Sequence, residues 1–121
     1  MSDAMNIAQR YIALWNEKDA GRRAAMLAEL WTEDAAYLDP LMAGRGRAEI
    51  DALIAAVQAR FPDFRFALAG APDGYAQQLR FSWELGPAGA PAVVKGTDFA
   101  ELDGERLRRV VGFLDQVPGG A

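Results

Sequence analysis

The chain is expected to fold as α+β, with helices through its first half and a mostly antiparallel sheet through its second. The hydrophobic period carries this reading. Apolar residues recur at helical spacing up to about Phe61 and then alternate residue by residue from Phe64 onward. Asp-Gly pairs at Asp73–Gly74 and Asp103–Gly104 add hairpin signals to the second half. Helices followed by a run of hairpins favour helices packed on one face of a sheet.

Ala8, Tyr11, Ile12 and Trp15 share one face of a first helix, which ends in the stretch from Asn16 to Asp19. Asp19 is a good N-cap for a second helix, expected from Ala20 to Trp31, whose apolar face is Met26, Leu27, Leu30 and Trp31. A short strand from Ala35 to Asp39 stops at Pro40, which has no N–H for a ladder. Gly44 and Gly46 bracket a turn or a second short strand. A third helix then carries Ile50, Leu53, Ile54, Val57 and Phe61 and closes at Pro62.

Four strands are expected after it. Phe64, Phe66 and Leu68 share one face of the first, and Leu79, Phe81, Trp83 and Leu85 one face of the second. Val94, Gly96, Asp98, Ala100 and Leu102 share a face of the third, and the last runs from about Leu107 to Val117. The opposite face, with Gln78, Arg80, Ser82, Lys95, Thr97 and Phe99, is mixed rather than fully polar. It suits either solvent or a dimer contact.

At 121 residues and 51% hydrophobic, the chain has the size of one domain spanning residues 1–121. Its net charge is −4, with Lys and Arg scattered, so no basic face for nucleic acid is expected. No apolar run approaches a membrane span, and the N-terminus does not read as a signal peptide, which points to the cytoplasm. Cysteine and histidine are both absent. That excludes disulfides, thiolate chemistry, histidine-activated nucleophiles and the usual zinc sites. Acid–base chemistry would fall to Asp, Glu, Tyr or Lys with pKa values tuned by their surroundings.

Three residues stand out. Asp39 sits at a strand end before Pro40, placed either to cap the turn or to face a pocket that Tyr37, two residues earlier, would share. Asp98 interrupts an apolar strand face. It points inward if the register is regular, and a bulge would turn it to water and Thr97 inward. Tyr11 lies on the buried stripe of the first helix, where its hydroxyl needs a partner. Trp15, Trp31 and Trp83 read as core and could also wall a pocket for a flat apolar ligand. Arg45 and Arg47 around Gly46 read as a solvated turn, since no phosphate-loop context surrounds them.

The order YIALWNEKD, WTEDA, YLDPLMAGRGRAEI and GTDFAELDG resembles the SnoaL-like branch of the nuclear transport factor 2 superfamily across nearly the whole chain. The resemblance implies a cystatin-like α+β cone: a curved, mostly antiparallel sheet wrapped round three helices. It also implies a deep apolar pocket and a homodimer formed through the outer sheet face. Within the superfamily the chain is similar to bacterial ketosteroid isomerase. There a tyrosine follows Gln-Arg, as Tyr11 follows Gln9 and Arg10; a base precedes proline, as Asp39 precedes Pro40; and an inward Asp lies five residues before the hairpin, as Asp98 lies before Asp103–Gly104. The similarity implies Asp39 as general base, with Tyr11 and a protonated Asp98 as oxyanion donors. It requires no cofactor and no metal. Epoxide-hydrolase chemistry of the limonene type is disfavoured, because Arg80 is followed by Phe81 and Ser82 rather than by an Asp two residues on.

The expected ligand is a small apolar or polycyclic molecule. Its pocket would be lined by Trp15, Trp31, Tyr37, Met42, Ile54, Phe66, Leu79, Phe81, Trp83, Val110, Gly112 and Leu114. The expected activity is isomerisation or polyketide-type cyclisation through proton abstraction next to a carbonyl. A non-catalytic ligand-binding or dimerisation module of the same fold is the alternative.

Overall fold

A computed structural model describes residues 4–118. Its elements run α1 (Ala4–Asn16), α2 (Ala20–Leu30), β1 (Trp31–Leu38), β2 (Ala43–Arg45), α3 (Arg47–Arg60), β3 (Phe64–Tyr75), β4 (Gln78–Pro87), β5 (Val94–Asp103) and β6 (Arg106–Gln116). The strands form one sheet in the order β2-β1-β6-β5-β4-β3. Every neighbouring pair is antiparallel except β1 with β6, the first and last long strands, which run parallel. The α+β architecture expected from the change of period is the one observed.

Several boundaries differ from the sequence reading; the strand expected from Ala35 to Asp39 runs Trp31–Leu38. Trp31 begins β1 instead of ending α2: its backbone is extended and it pairs with Leu107. Its side chain is fully buried, so a core tryptophan at helical spacing can equally be the first residue of a strand. The strand then slips register against β6 between Trp31 and Ala36, and this irregularity masks the period-two signal of the Thr32–Asp34 segment.

The second difference is at Asp73–Gly74, which does not turn. Both residues stay in β3, Asp73 opposite Arg80 with a 2.9 Å ion pair, and the reversal falls at Ala76 and Gln77. Those two have φ values of 48° and 63°, the left-handed geometry a two-residue hairpin needs. Gln77 is held there from outside, since its carbonyl accepts from Leu102 N and its Oε1 accepts from Gly104 N, both at 2.8 Å. Tertiary bonds here override the Asp-Gly preference. The third difference is small: the last strand ends at Gln116, one residue before Val117.

The sheet bends at its irregularities. One lies between Ala69 and Asp73, near Gly70 with φ of 81°, and two more fall along the β5–β6 pair. Such bulges increase local twist and curl a sheet towards one side. The concave side receives α1, α2 and α3 over a core of Ile7, Leu14, Leu27, Leu30, Trp31, Ile50, Ile54, Phe81, Leu107 and Val110.

Polar anchors fix the helices on the sheet. Asn16 makes a two-way amide contact with the Phe66 backbone, donating at 2.9 Å and accepting at 2.8 Å. Arg23 is 5% exposed and donates to Asp51 at 2.6 Å, to the Glu17 carbonyl at 3.0 Å and to Gln58 at 3.2 Å, so one guanidinium joins α2 to α3 and to the residue that follows α1. Arg47 is structural as well, because its guanidinium binds the Trp31 and Ala28 carbonyls at the end of α2. This corrects the reading of the Arg45–Arg47 turn as simply solvated.

Candidate active site

A cavity of about 590 Å³ opens between α1, the end of α3 and the concave sheet face. Asp98 lies on its floor, 1% exposed. The β4–β5 register is unbroken, with Phe81 opposite Asp98 and Trp83 opposite Gly96, so Asp98 points inward with Val94, Gly96 and Ala100. A bulge that would turn it outward is absent from this pair.

The floor is built around Asp98. Tyr11 donates its hydroxyl to Asp98 Oδ2 at 2.8 Å, and Trp83 donates its indole N–H to Oδ1 at 3.0 Å. Two glycines make this possible. A Cβ at Gly96 would stand 2.3 Å from Trp83 Cζ2, so the indole can lie across the strand only because residue 96 lacks one. A Cβ at Gly112 would stand 2.8 Å from Asp98 Oδ1 and 3.4 Å from Asp39 Cβ, so Gly112 is the gap that both carboxyl-bearing residues share.

Asp39 follows β1 at the cavity wall, half-buried. Its Oδ1 accepts from Leu41 N at 2.8 Å and Met42 N at 2.9 Å, and its Oδ2 accepts from the Tyr37 hydroxyl at 2.6 Å. Asp39 therefore both ties the Pro40 turn and lines the cavity.

The electrostatics follow from burial. Asp98 is pushed up to about 6, chiefly by burial; the Trp83 and Tyr11 hydrogen bonds oppose the rise and the Asp39 charge adds to it. Tyr11 is pushed well above the usual tyrosine range by burial first and by the Asp98 charge next. Tyr37 is raised far as well, by burial, by Asp98 and by its bond to Asp39. Both phenols thus remain protonated hydrogen-bond donors near neutral pH.

Tyr11, Asp39 and Asp98 all line this cavity. Of the other residues singled out in the sequence, Trp15, Tyr37, Met42, Phe66, Trp83 and Leu114 line it too. Trp31, Ile54, Leu79, Phe81 and Val110 do not: each is 2% exposed or less and packs in the core. Gly112 is not a wall residue either, and its contribution is the space beside Asp98. Period-two and helical spacing separate inward from outward side chains, but they do not separate filled core from cavity wall.

Ten wall residues were not expected to line a pocket: Ile12, Leu41, Ala56, Val57, Arg60, Phe61, Leu85, Val94, Val117 and Pro118. Val57 and Phe61 carried a usable signal. They extend the apolar stripe of α3 beyond Ile50 and Ile54, towards the helix end where the core gives way to the opening. Leu41, 80% exposed at the turn after Pro40, carried none. Among the described residues no group of three or more acidic side chains is gathered to hold a metal ion, and no helix is long and apolar enough to cross a membrane.

Comparison with known proteins agrees with this fold. The SnoaL-like domain family profile matches residues 8–110. A solved structure from Agrobacterium tumefaciens str. C58, provisionally described as an isomerase of the SnoaL-like family, is 45% identical, with a TM-score of 0.90 over 95% of this chain and 99% of that one. Two more distant structures share the fold. One, from Kribbella flavida DSM 17836 and provisionally described as a ketosteroid isomerase, is 20% identical over 95% of this chain and 79% of that one, with a TM-score of 0.70. The other, from Jannaschia sp. CCS1 and provisionally described as a SnoaL-like polyketide cyclase, is 14% identical over 93% of this chain and 85% of that one, with a TM-score of 0.74. No functionally curated protein matches. On the family match and the 45% identical relative, this chain belongs to the SnoaL-like domain family.

Proposed function

We propose that this protein is an acid–base enzyme of the isomerase or polyketide-cyclase type, acting on an apolar cyclic ketone. The observation that carries the reading is that Asp39, Tyr11 and Asp98 border one open cavity with largely apolar walls. In this reading Asp39 takes a proton from the carbon next to the substrate carbonyl. The C–H bond breaks, its electron pair forms the C=C bond of an enolate, and the carbonyl oxygen takes the negative charge. Tyr11 turns its hydroxyl from Asp98 to that oxygen, and protonated Asp98 donates beside it.

The proton on Asp39 then returns to a different carbon, which completes an isomerisation. In the cyclase variant the enolate carbon attacks a second carbonyl of the same substrate. A C–C bond forms, and the new alkoxide takes the proton back. Trp83 supports the donor role of Asp98. Its N–H can only donate, so it occupies Oδ1 as an acceptor and leaves Oδ2, on the Tyr11 side, to carry the proton.

A binding protein without turnover is the second reading. It is favoured by the three donors already on Asp39, which suit a turn clamp as well as a base. A panel of cyclic β,γ-unsaturated ketones separates the two, followed by the absorbance of the conjugated product. The enzyme reading expects turnover that Tyr11→Phe lowers about 10²-fold, the usual effect of removing one oxyanion donor. Binding of 2-naphthol with no rate above buffer across the panel would favour the binder.

We further propose that two copies pair through the outer sheet face. Phe99 and Phe113 are 45% and 54% exposed there, with rings edge-to-face at 5.9 Å. Beside them Ser82, Thr97 and Asp115 are linked by hydrogen bonds of 2.9 and 2.8 Å. An apolar centre with such a polar margin suits a symmetric contact.

A further inference from the structure

Among the described residues the cavity has acidic groups on its floor and wall, apolar walls, and one cation. Arg60, in the last turn of α3, is the only Lys or Arg among the described residues that line it. Leu41, Ala56, Val117 and Pro118, which also line the cavity, are all uncharged. The guanidinium carbon stands 5.7 Å from the centre of the Phe61 ring, itself part of the cavity wall. Arg60 is exposed and makes no ion pair or hydrogen bond among the described residues.

A basic residue at a helix C-terminus has an ordinary explanation in the helix dipole. That accounts for a cation at this position. It does not account for the aromatic seat, which holds a flexible side chain against the cavity wall with its N–H groups unused. The surroundings sharpen the contrast. The chain carries a net charge of −4, and Asp39 and Asp98 line the same cavity, so among the described lining residues Arg60 alone offers an anionic ligand a positive charge. A planar guanidinium also matches a carboxylate edge in a two-point contact.

We propose that Arg60 is a specificity residue that selects cyclic ketones carrying an anionic group, a carboxylate foremost, at the end remote from the reacting carbonyl. The inference rests on the reading of the cavity given above, with the ligand oxygen at Tyr11 and Asp98. The carbonyl end goes to the floor, the ring system lies against Trp15, Phe66 and Trp83, and the anion emerges at Arg60. A cavity of about 590 Å³ holds two or three fused rings in that orientation.

The test is equilibrium binding, which needs no turnover. 2-Naphthol and 6-hydroxy-2-naphthoate share a phenol that mimics the enolate oxygen, and only the second carries a carboxylate at the far end. Fluorescence titration of wild type, Arg60→Gln and Arg60→Lys with both probes, at low and high salt, gives the comparison. Wild type is expected to bind the naphthoate about three- to fivefold tighter than the naphthol at low salt, the scale of one exposed ion pair. High salt and Arg60→Gln abolish the preference, Arg60→Lys keeps most of it, and 2-naphthol affinity stays the same in all three proteins. Equal affinity for both probes in wild type, or a preference that survives in Arg60→Gln, overturns the role of Arg60 and leaves the cavity reading standing. No binding of 2-naphthol overturns the cavity reading itself, and this inference with it.

Discussion

Trp83 and Asp98 reach each other diagonally across paired strands, indole Nε1 to carboxyl Oδ1 at 3.0 Å, over the gap left by Gly96. This contact fixes Oδ1 of Asp98 as an acceptor and leaves Oδ2 to Tyr11. It also opposes the rise in pKa that burial imposes. Trp83→Phe keeps an aromatic ring in the wall but removes the donor. Asp98 is then expected to titrate above its present value of about 6. A ¹³C NMR titration of the aspartate carboxyls follows the midpoint, and a downward move would contradict the assignment.

Gly96→Ala tests the same contact from the backbone side. The added methyl would lie 2.3 Å from the indole, and Trp83 is already wedged against Phe66 with ring centres 5.4 Å apart. Overpacking of this kind costs about 2 kcal/mol. Denaturant unfolding should show that loss, and the indole should withdraw from Asp98. Unchanged stability would mean the strand can shift to accept the methyl.

Asp98 also sets a pH dependence of stability. Its folded pKa of about 6 lies above the ordinary value of 3.8, so the folded chain holds the proton more tightly than the unfolded chain. The stabilisation from that proton is full below pH 3.8 and is lost as pH rises through about 6. Asp98→Asn has no charge to bury and can still accept from Trp83 and donate to Tyr11. It should match wild type near pH 4 and exceed it at pH 8 by about 2 kcal/mol. Thermal unfolding across that range checks the sign, and a wild type favoured at pH 8 would contradict it.

Asp39 combines a structural and a proposed chemical task, and two substitutions separate them. Asp39→Asn keeps an oxygen for Leu41 N and Met42 N, whereas Asp39→Ala leaves both turn amides without it. The alanine variant should lose about 1–2 kcal/mol, as loss of a capping side chain does, and the asparagine variant much less. Equal losses would show that the turn does not depend on the carboxyl.

Replacing Phe113 with glutamate places charge in the centre of the proposed dimer face. Sedimentation should then show a dimer for wild type and a monomer for Phe113→Glu, each with the same circular dichroism. A monomeric wild type would remove the face from consideration.

Most of the fold was legible because period is a local property. The switch from helical to alternating spacing near Phe61 located the helices and the four long strands. Asp98 was legible for the same reason: an acid among Val94, Gly96 and Ala100 breaks a regular pattern. What escaped depends on distant contacts. The hairpin moved from Asp73–Gly74 to Ala76–Gln77 because Gln77 is bonded to Leu102 and Gly104. Arg23 gave no local signal, because its partners Glu17, Asp51 and Gln58 are brought to it only by the packing of the helices. The division between core and cavity wall escaped because Phe81 and Trp83 are identical in parity, yet only Trp83 lines the cavity.

The central claim is that Asp39 moves a proton to and from carbon. Deuterium exchange at the carbon next to the carbonyl of a bound cyclic ketone, followed by NMR in D₂O at pH 6, measures that step without requiring the physiological substrate. The account predicts exchange well above the buffer rate with wild type, and loss of about 10²-fold or more with Asp39→Asn, the scale of removing a general base. Exchange by Asp39→Asn at the wild-type rate would contradict it.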